Sequence, residues 1–311
     1  MRAAVVEAFG EPGVISVRDV PIPEPAQGQI RIKVVAAGIN PVDTYNAKDP
    51  SWAGIATGCI LGYDIAGTVE AVGHDVSSDL IGRNVMAMTA FPQGQGGYAE
   101  YAVVDEPLAA YLPDDADLVA AASVPLAAGT AWEVLEKLEP AGPLMLVIGG
   151  SGGVGLFLIQ LAAARGVHVV AMGQERSHAV MHAHGATTCV DYRSPDAIAT
   201  AVDLAGGPFD SIAELVGGPL TALAQPHLRD DGVIAAIAPP DLAIDALIDA
   251  NQSLHGILIR DNSERLRHMA DLFSGGHLRT HVTRVLPLDE VAEAHRLVDS
   301  GEAGGKVVLT P

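Results

Sequence analysis

At 311 residues with 49% hydrophobic content, the chain is long enough for two domains, each with its own core, and it holds no apolar run of membrane-spanning length. A formal net charge of -20 repels a phosphate backbone, which excludes nucleic acid as a partner and requires any phosphate site to be locally cationic. Two cysteines, Cys59 and Cys189, support neither a disulfide framework nor a cysteine-based zinc site, and Met1 to Glu7 lacks the apolar core of an export signal, so a cytoplasmic location is expected.

In chain order, the first third reads as β structure. Strand character falls at residues 14–20, 30–37, 65–72, 83–88 and 98–103, with Pro21, Pro23 and Pro25 as punctuation. No helix of any length is expected before about residue 117. Helices follow at 117–123 and 126–138, hinged near Pro125. From residue 144 strands and helices alternate, the pattern of a parallel sheet covered on both faces. The expected strands are 144–148, 167–172, 188–190, 211–215, 233–237 and 254–259, with helices at 156–165, 177–184, 196–204 and 220–227. A tail of helix 264–274, strand 282–286, helix 288–300 and strand 306–309 is too small to fold alone and is expected to rejoin the N-terminal β domain. The expected division is residues 1–117 plus 264–311 against 118–263.

The chemistry-bearing stretch is the turn after the strand at 144–148. Gly150, Gly152 and Gly155 fit G-x-G-x-x-G between a buried strand and an apolar helix, the fingerprint of dinucleotide binding. Backbone N–H groups of Gly150, Ser151, Gly152, Gly153, Val154 and Gly155 would receive a pyrophosphate at the helix N-terminus. NAD-specific folds place an acid at the end of the second strand to hold the ribose 2′-hydroxyl; here that position is Gly173. Gln174, Arg176, Ser177 and His178 follow and can donate to a 2′-phosphate, so NADPH is the expected cofactor. Glu175 sits among them and opposes it. The histidines at 178, 182 and 184 lack the carboxylate motif of a metal site and read as surface residues. Asp114, Asp115 and Asp117 read as a solvated loop entering a helix. Glu214 reads as structural.

Several ordered blocks then carry a resemblance. These are Ala36-Ala37-Gly38-Ile39-Asn40-Pro41-Val42-Asp43, Gly62-Tyr63-Asp64-Ile65-Ala66-Gly67-Thr68-Val69, Gly97-Tyr98-Ala99-Glu100-Tyr101, Gly129-Thr130-Ala131-Trp132 and Gly304-Gly305-Lys306-Val307-Val308-Leu309. Together with the glycine turn they resemble the zinc-independent quinone oxidoreductase (zeta-crystallin-like) branch of the medium-chain dehydrogenase/reductase superfamily, over essentially the whole chain. The resemblance implies an α/β architecture in which a doubly wound parallel-sheet (Rossmann) domain is inserted into a GroES-like β-barrel domain. Zinc-dependent members hold catalytic zinc with Cys, His and Cys; the matching positions here are Asn40, Tyr63 and Leu126, with Val42 replacing the proton-relay hydroxyl. That set cannot build a tetrahedral thiolate and imidazole site.

Without a Lewis acid, reduction of a quinone or an α,β-unsaturated carbonyl is the easier chemistry, because the substrate delocalises the charge itself. The resemblance makes Asn40 and Tyr45 the candidates for a hydrogen bond to the substrate oxygen. It also places Tyr192 near the 2′-phosphate, and Thr130, Val216 and Ile237 near the carboxamide end of the cofactor. Relatives usually carry Lys at the position of His178, a departure here. The expected function is an NADPH-dependent, metal-free quinone or enone reductase, working as a homodimer joined through the strand at 254–259. An NADP(H)-binding scaffold or sensor with little turnover shares the same fold and is the alternative; a zinc alcohol dehydrogenase is a third reading.

Overall fold

The computed structural model describes residues 1–10, 14–51, 53–89 and 95–311. The chain divides into two compact units, Met1–Ala127 with Asp261–Pro311, and Ala128–Arg260. The division falls later than the expected residue 117, because the short helix that follows packs on the strands of the first unit.

The first unit opens with β1 (Arg2–Val6) and β2 (Ile15–Asp19), an antiparallel ladder. β3 (Gln29–Ile39) is the spine of the main sheet. Ile30, Ile32 and Val34 alternate inward, and Ala36 to Ile39 are all buried, so β3 ends in the core rather than at the surface. The chain then turns into α1 (Pro41–Lys48), a helix in a region where the sequence pattern predicts none. β4 (Asp64–Val72), β5 (Asn84–Met88), β6 (Tyr101–Asp105), β7 (Ala109–Tyr111) and α2 (Leu118–Ala121) follow. α3 (Pro125–Leu138) carries the chain onward into the second unit.

The second unit contains β8 (Leu144–Ile148), α4 (Gly153–Ala164), β9 (His168–Gly173), α5 (His178–Ala183), β10 (Thr188–Asp191) and α6 (Ala197–Ala205). It continues with β11 (Phe209–Glu214), α7 (Leu220–Ala224), β12 (Leu228–Ala236), α8 (Ile244–Asp249) and β13 (Ser253–Gly256). The strands form one parallel sheet in the order β10-β9-β8-β11-β12-β13, the doubly wound arrangement whose direction of winding reverses between β8 and β11. Leu146, Ile148, Val170, Ile212 and Ile234 form the core on this sheet with Phe209 and residues of α6. α8 is an addition to the expected elements, and β12 begins at Leu228 rather than 233.

The chain returns to the first unit as α9 (Ser263–Ser274), β14 (Val282–Pro287), α10 (Val291–Asp299) and β15 (Lys306–Thr310). The main sheet of that unit runs β14-β15-β3-β4-β5-β7, with β6 joined to β3. Register matters at its centre. Gly38 of β3 pairs with Asp64 of β4, and Ile39 pairs with Val307 of β15, so two charged residues from distant parts of the chain, Asp64 and Lys306, flank the end of β3. Among the described residues no helix is long and apolar enough to cross a membrane.

Candidate active site

Within the second unit, the residues expected to hold a cofactor gather at the carboxyl ends of the parallel strands. The glycine turn follows β8, Gly173 to His178 follow β9, Tyr192 follows β10, Val216 follows β11 and Ile237 follows β12. This end of a doubly wound sheet, at the reversal between β8 and β11, is where such folds bind ligands. Thr130 lies on α3, 5% exposed.

The glycines differ in what they do. Gly149 has φ +89°, a conformation that favours glycine, and it starts the turn. A Cβ on Gly155 would lie 2.3 Å from the Gly149 carbonyl oxygen, so the start of α4 rests directly on the turn. A Cβ on Gly152 would meet nothing closer than 3.4 Å, so its outer face is open to an approaching group. Gly152 caps α4, and the Gly153, Val154 and Gly155 N–H groups precede the first helical hydrogen bond, from Leu156 N–H to the Gly152 carbonyl at 3.0 Å. Open backbone, unused donors and the positive end of a helix dipole are the features by which helix N-termini receive phosphate groups.

At the end of β9, a Cβ on Gly173 would lie 2.8 Å from Met181 Cε and 3.2 Å from Ser151 Cβ. A carboxylate side chain has no room there without displacing Met181. Gln174 Nε2 donates to the Tyr192 hydroxyl at 3.2 Å, which fixes both side chains at the strand ends. The neighbouring Asp191 carboxylate is gripped by Arg193 through Nε (3.0 Å) and Nη2 (2.6 Å). Those bonds, with the Arg193 and Glu175 N–H groups, hold it well below the usual carboxylate range. Arg176 is exposed and takes part in no ion pair among the described residues. Ser177 is buried, and His178 Nε2 is enclosed without a hydrogen-bond partner. His178 is therefore not presented as the expected phosphate donor through that nitrogen, and Arg176 is the side chain in this group best placed to supply charge.

Glu214, fully buried at the end of β11, accepts from the Val216 and Gly217 N–H groups at 2.7 Å and is bonded by the Thr221 hydroxyl. It holds the turn that displays Val216, which is 64% exposed, and its structural reading stands on those bonds.

The first unit gathers a second set of residues where β3 ends. Asn40 caps α1, with Pro41 at the first helical position; Asp43 Oδ2 accepts the Asn40 N–H at 2.9 Å. The Asn40 side chain is 1% exposed and fully engaged at its oxygen: Lys306 Nζ donates to Oδ1 at 2.5 Å, while Asn40 Nδ2 donates to Asp64 Oδ2 at 2.8 Å. A bond from Asn40 to a substrate oxygen would have to use its second Nδ2 hydrogen, since these contacts occupy the rest of the amide. The Asn40 amide is locked inside the unit, and its role is to fix the turn into α1. Tyr45, on the same helix, is 51% exposed, while Asp43, Thr44, Asn46 and Ala47 face inward.

Asp64 also accepts the Leu126 N–H at 2.8 Å, and Lys306 Nζ also donates to the Ile39 carbonyl at 3.1 Å. Burial pushes the Asp64 carboxyl up and the Lys306 ammonium down, while their proximity, 3.9 Å, favours the charged forms. Burial pushes Asp43 up to about 7, and Asp64 adds to the shift against the opposing Asn40 N–H. Tyr63, 8% exposed, is pushed up to about 12 by burial and by Asp43. Asp43, Asp64 and Lys306 are not among the candidates that motif spacing picks out; Asp64 and Lys306 each adjoin apolar strand residues, a sign of a buried charge but not of the cluster, and Asp43 carries no such sign.

The positions matching the zinc ligands of zinc-dependent relatives are thus an amide tied to Lys306 and Asp64, a phenol and an aliphatic side chain. Their chemistry does not fit zinc. Among the described residues no group of His, Cys, Asp and Glu elsewhere is placed to hold a metal.

Residues 26–114 match the alcohol dehydrogenase GroES-like domain, and residues 184–309 match a family described as zinc-binding dehydrogenase, although the donor set here departs from that label. The chain is 32% identical over 325 aligned positions to a quinone oxidoreductase of Lama guanicoe, covering 99% of this chain and 97% of that one. It is 30% identical to a chloroplastic NADPH-dependent alkenal/one oxidoreductase of Arabidopsis thaliana, covering 100% of this chain and 80% of the relative. The solved quinone oxidoreductase of Coxiella burnetii superposes with a TM-score of 0.90 at 32% identity, covering 100% and 99% of the two chains. Fold, motif order and whole-length similarity converge: the chain is an oxidoreductase that belongs to the quinone oxidoreductase branch of the medium-chain dehydrogenase/reductase superfamily.

Proposed function

We propose that this protein is an NADPH-dependent, metal-free reductase of quinones or α,β-unsaturated carbonyls. The observation that carries the reading is the end of β9, where Gly173 stands in place of an acid, an acid side chain would have to displace Met181, and Arg176 is exposed two residues after Gln174, which is bonded to Tyr192. Arg176 and its neighbours offer a 2′-phosphate charge and donors, against the exposed Glu175 between them, while the Asp191 carboxylate of β10 is paired with Arg193. The alkenal/one oxidoreductase relative is named for the same cofactor and for an enone-type substrate.

The nicotinamide cofactor, when bound, supplies the hydride; the residues of the chain bind, orient and stabilise. The glycine turn and the first turn of α4 receive the pyrophosphate, and Thr130, Val216 and Ile237 line the path toward the carboxamide end. Tyr45 offers an O–H to the substrate oxygen as negative charge grows on it. Asn40 keeps the turn that carries Tyr45 in place. The donor chemistry at Asn40, Tyr63 and Leu126 supports a metal-free reaction, and a substrate that delocalises its own charge makes a Lewis acid unnecessary.

The reading extends to a cytoplasmic homodimer. Both thiols are free, as a reducing compartment requires, and β13 is the outer strand of its sheet with Leu254 42% exposed, an edge that a second copy would cover. The deciding experiment follows loss of reduced-nicotinamide absorbance with NADPH and NADH across ortho-quinones, para-quinones and enones. Turnover with a kcat/KM ratio favouring NADPH is expected. A preference for NADH would overturn the cofactor, and tight NADPH binding with no turnover on any acceptor would favour a scaffold or sensor.

A further inference from the structure

The buried end of β3 holds more negative than positive charge. Asp43 and Asp64 are wholly buried and Lys306 is 5% exposed. With every group ionised the cluster would carry an uncompensated negative charge inside the first unit, an arrangement that a shared proton relieves. The hydrogen bonds say where that proton goes. Asp64 receives N–H groups from Asn40 and Leu126 and lies beside Lys306, all of which favour its carboxylate. Asp43 receives one, from the Asn40 backbone to Oδ2. Its Oδ1 is buried without a partner.

The surroundings of Oδ1 are polar and unsatisfied. Tyr98 is fully buried and close enough to interact with Asp43, yet its hydroxyl completes no hydrogen bond. Asn46, one turn further along α1, has both amide atoms buried without a completed hydrogen bond, with Tyr63 close enough to interact. His295 of α10 stacks edge-on against Tyr98 at 5.8 Å between ring centres, and its Nε2 is also unpartnered. Among the described residues, the other charged or titratable groups facing this pocket include Tyr63, beside β4, which also feels Asp261, and the Lys48–Asp299 ion pair joining α1 to α10 at 2.5 Å. A proton on Asp43 Oδ1 gives that oxygen a donor and the Tyr98 hydroxyl something to accept; without it, the same pocket must hold a second carboxylate.

We infer that Asp43 is held as a neutral carboxylic acid bonded to Tyr98, and that it is a positioning residue whose ionisation loosens the Asn40–α1 turn and so sets the alkaline limb of catalysis. The second half rests on the reductase reading; the first does not. Neutral Asp43 keeps the capping bond to Asn40 without repelling Asp64. Ionised Asp43 competes with Asp64 for Lys306, the residue that grips the Asn40 amide.

Infrared difference spectroscopy of the full chain between pH 5.5 and 8.5 reads the proton directly. A protonated-carboxyl C=O band lost with a midpoint at about 7, and absent from Asp43→Asn, is the expected result. Tyr98→Phe removes both the acceptor of the acid and the donor to the carboxylate, so a midpoint that moves supports the Asp43–Tyr98 bond and one that stays at about 7 overturns it. In parallel, kcat/KM for NADPH-dependent reduction of a para-quinone should fall by up to about 30-fold from pH 6 to pH 8.5 in the wild type, the loss expected if only the protonated form is competent. That limb should be flat in Asp43→Asn. No such band in the wild type at pH 6, or a band that persists in Asp43→Asn, overturns the inference. Should Asp43→Asn not fold, the wild-type band and its shift in Tyr98→Phe decide. A band that behaves as expected with an unchanged alkaline limb in Asp43→Asn removes the positioning role. Absence of turnover on every acceptor removes the reductase reading and leaves the protonation state of Asp43, read from the infrared band, intact.

Discussion

Two side chains carry the proposed specificity and reactivity, and both stand at the surface of their units. Arg176 is exposed and free of ion pairs among the described residues, so its charge is available to a ligand rather than to the fold. A charge-assisted bond to phosphate contributes about 1.5–3 kcal/mol, so Arg176→Ala should raise KM for NADPH by about 10- to 100-fold. The kinetics with NADH should not change, because that cofactor has no 2′-phosphate; an equal loss with both cofactors would show that Arg176 acts elsewhere. Tyr45 makes the complementary case. Removing its hydroxyl by Tyr45→Phe should lower kcat about tenfold or more on quinones and enones while leaving NADPH affinity unaltered, as expected of a donor to a developing oxyanion. Stopped-flow reduction and a cofactor binding titration separate the two effects. Both candidates come from the sequence, Arg176 from its place after a glycine that ends a strand and Tyr45 through family resemblance. The environment of His178 is not, because a helical periodicity does not reveal that a ring nitrogen is enclosed.

At the scale of elements, what is legible is what local pattern encodes. β8 occupies the residues expected, 144–148, since five consecutive apolar residues bounded by a charge-poor turn and glycines have few alternatives to a buried parallel strand. α1 escapes a periodicity reading because eight residues with Asp43, Asn46 and Lys48 among them show no apolar face; its start is nonetheless written as Asn40, Pro41 and Asp43, a cap, a first-turn proline and a reciprocal acid. The cluster around Asn40 is not legible at all. Lys306 and Asn40 are 266 residues apart, and only the pairing of β15 with β3 brings them together. Lys306 is buried at that junction with Asn40 and Asp64 as its partners. Lys306→Met should cost about 3–5 kcal/mol, because Asp64 is left buried without a cation. Denaturant unfolding would measure it, and Asp64→Asn in the same background should recover part of the loss. A cost below about 1 kcal/mol would mean that the ion pair contributes little beyond packing.

Across the whole molecule, two buried groups give the dependence of stability on pH opposite slopes. Burial lowers the His295 imidazole to about 4, with Asp299 opposing and Lys48 assisting the shift. Between pH 4 and the unfolded value near 6.5 the unfolded chain binds a proton that the folded chain refuses, so this group makes stability rise with pH. Burial raises Asp43 to about 7. Between the unfolded value near 3.8 and pH 7 the folded chain binds the extra proton, so this group makes stability fall with pH, and Asp64 is shifted in the same direction. Each shift corresponds to a change on the order of 3–4 kcal/mol, so the two largely offset one another across the acid range. The ion pairs at the surface, Arg296 with Glu293 among them, add little to either slope because solvent screens them. The wild type should therefore show a pH dependence of unfolding free energy from about pH 4.5 to 6.5 that is shallower than either group alone would give, tilted toward a fall by Asp64. His295→Leu should remove the rising component and expose a decline with pH, whereas Asp43→Asn should remove most of the falling component and expose a rise. Urea titrations at several pH values on the three proteins would read these slopes. Parallel curves for all three would mean that neither group titrates differently on folding, and that the interior around Tyr98 is wetter than its burial implies.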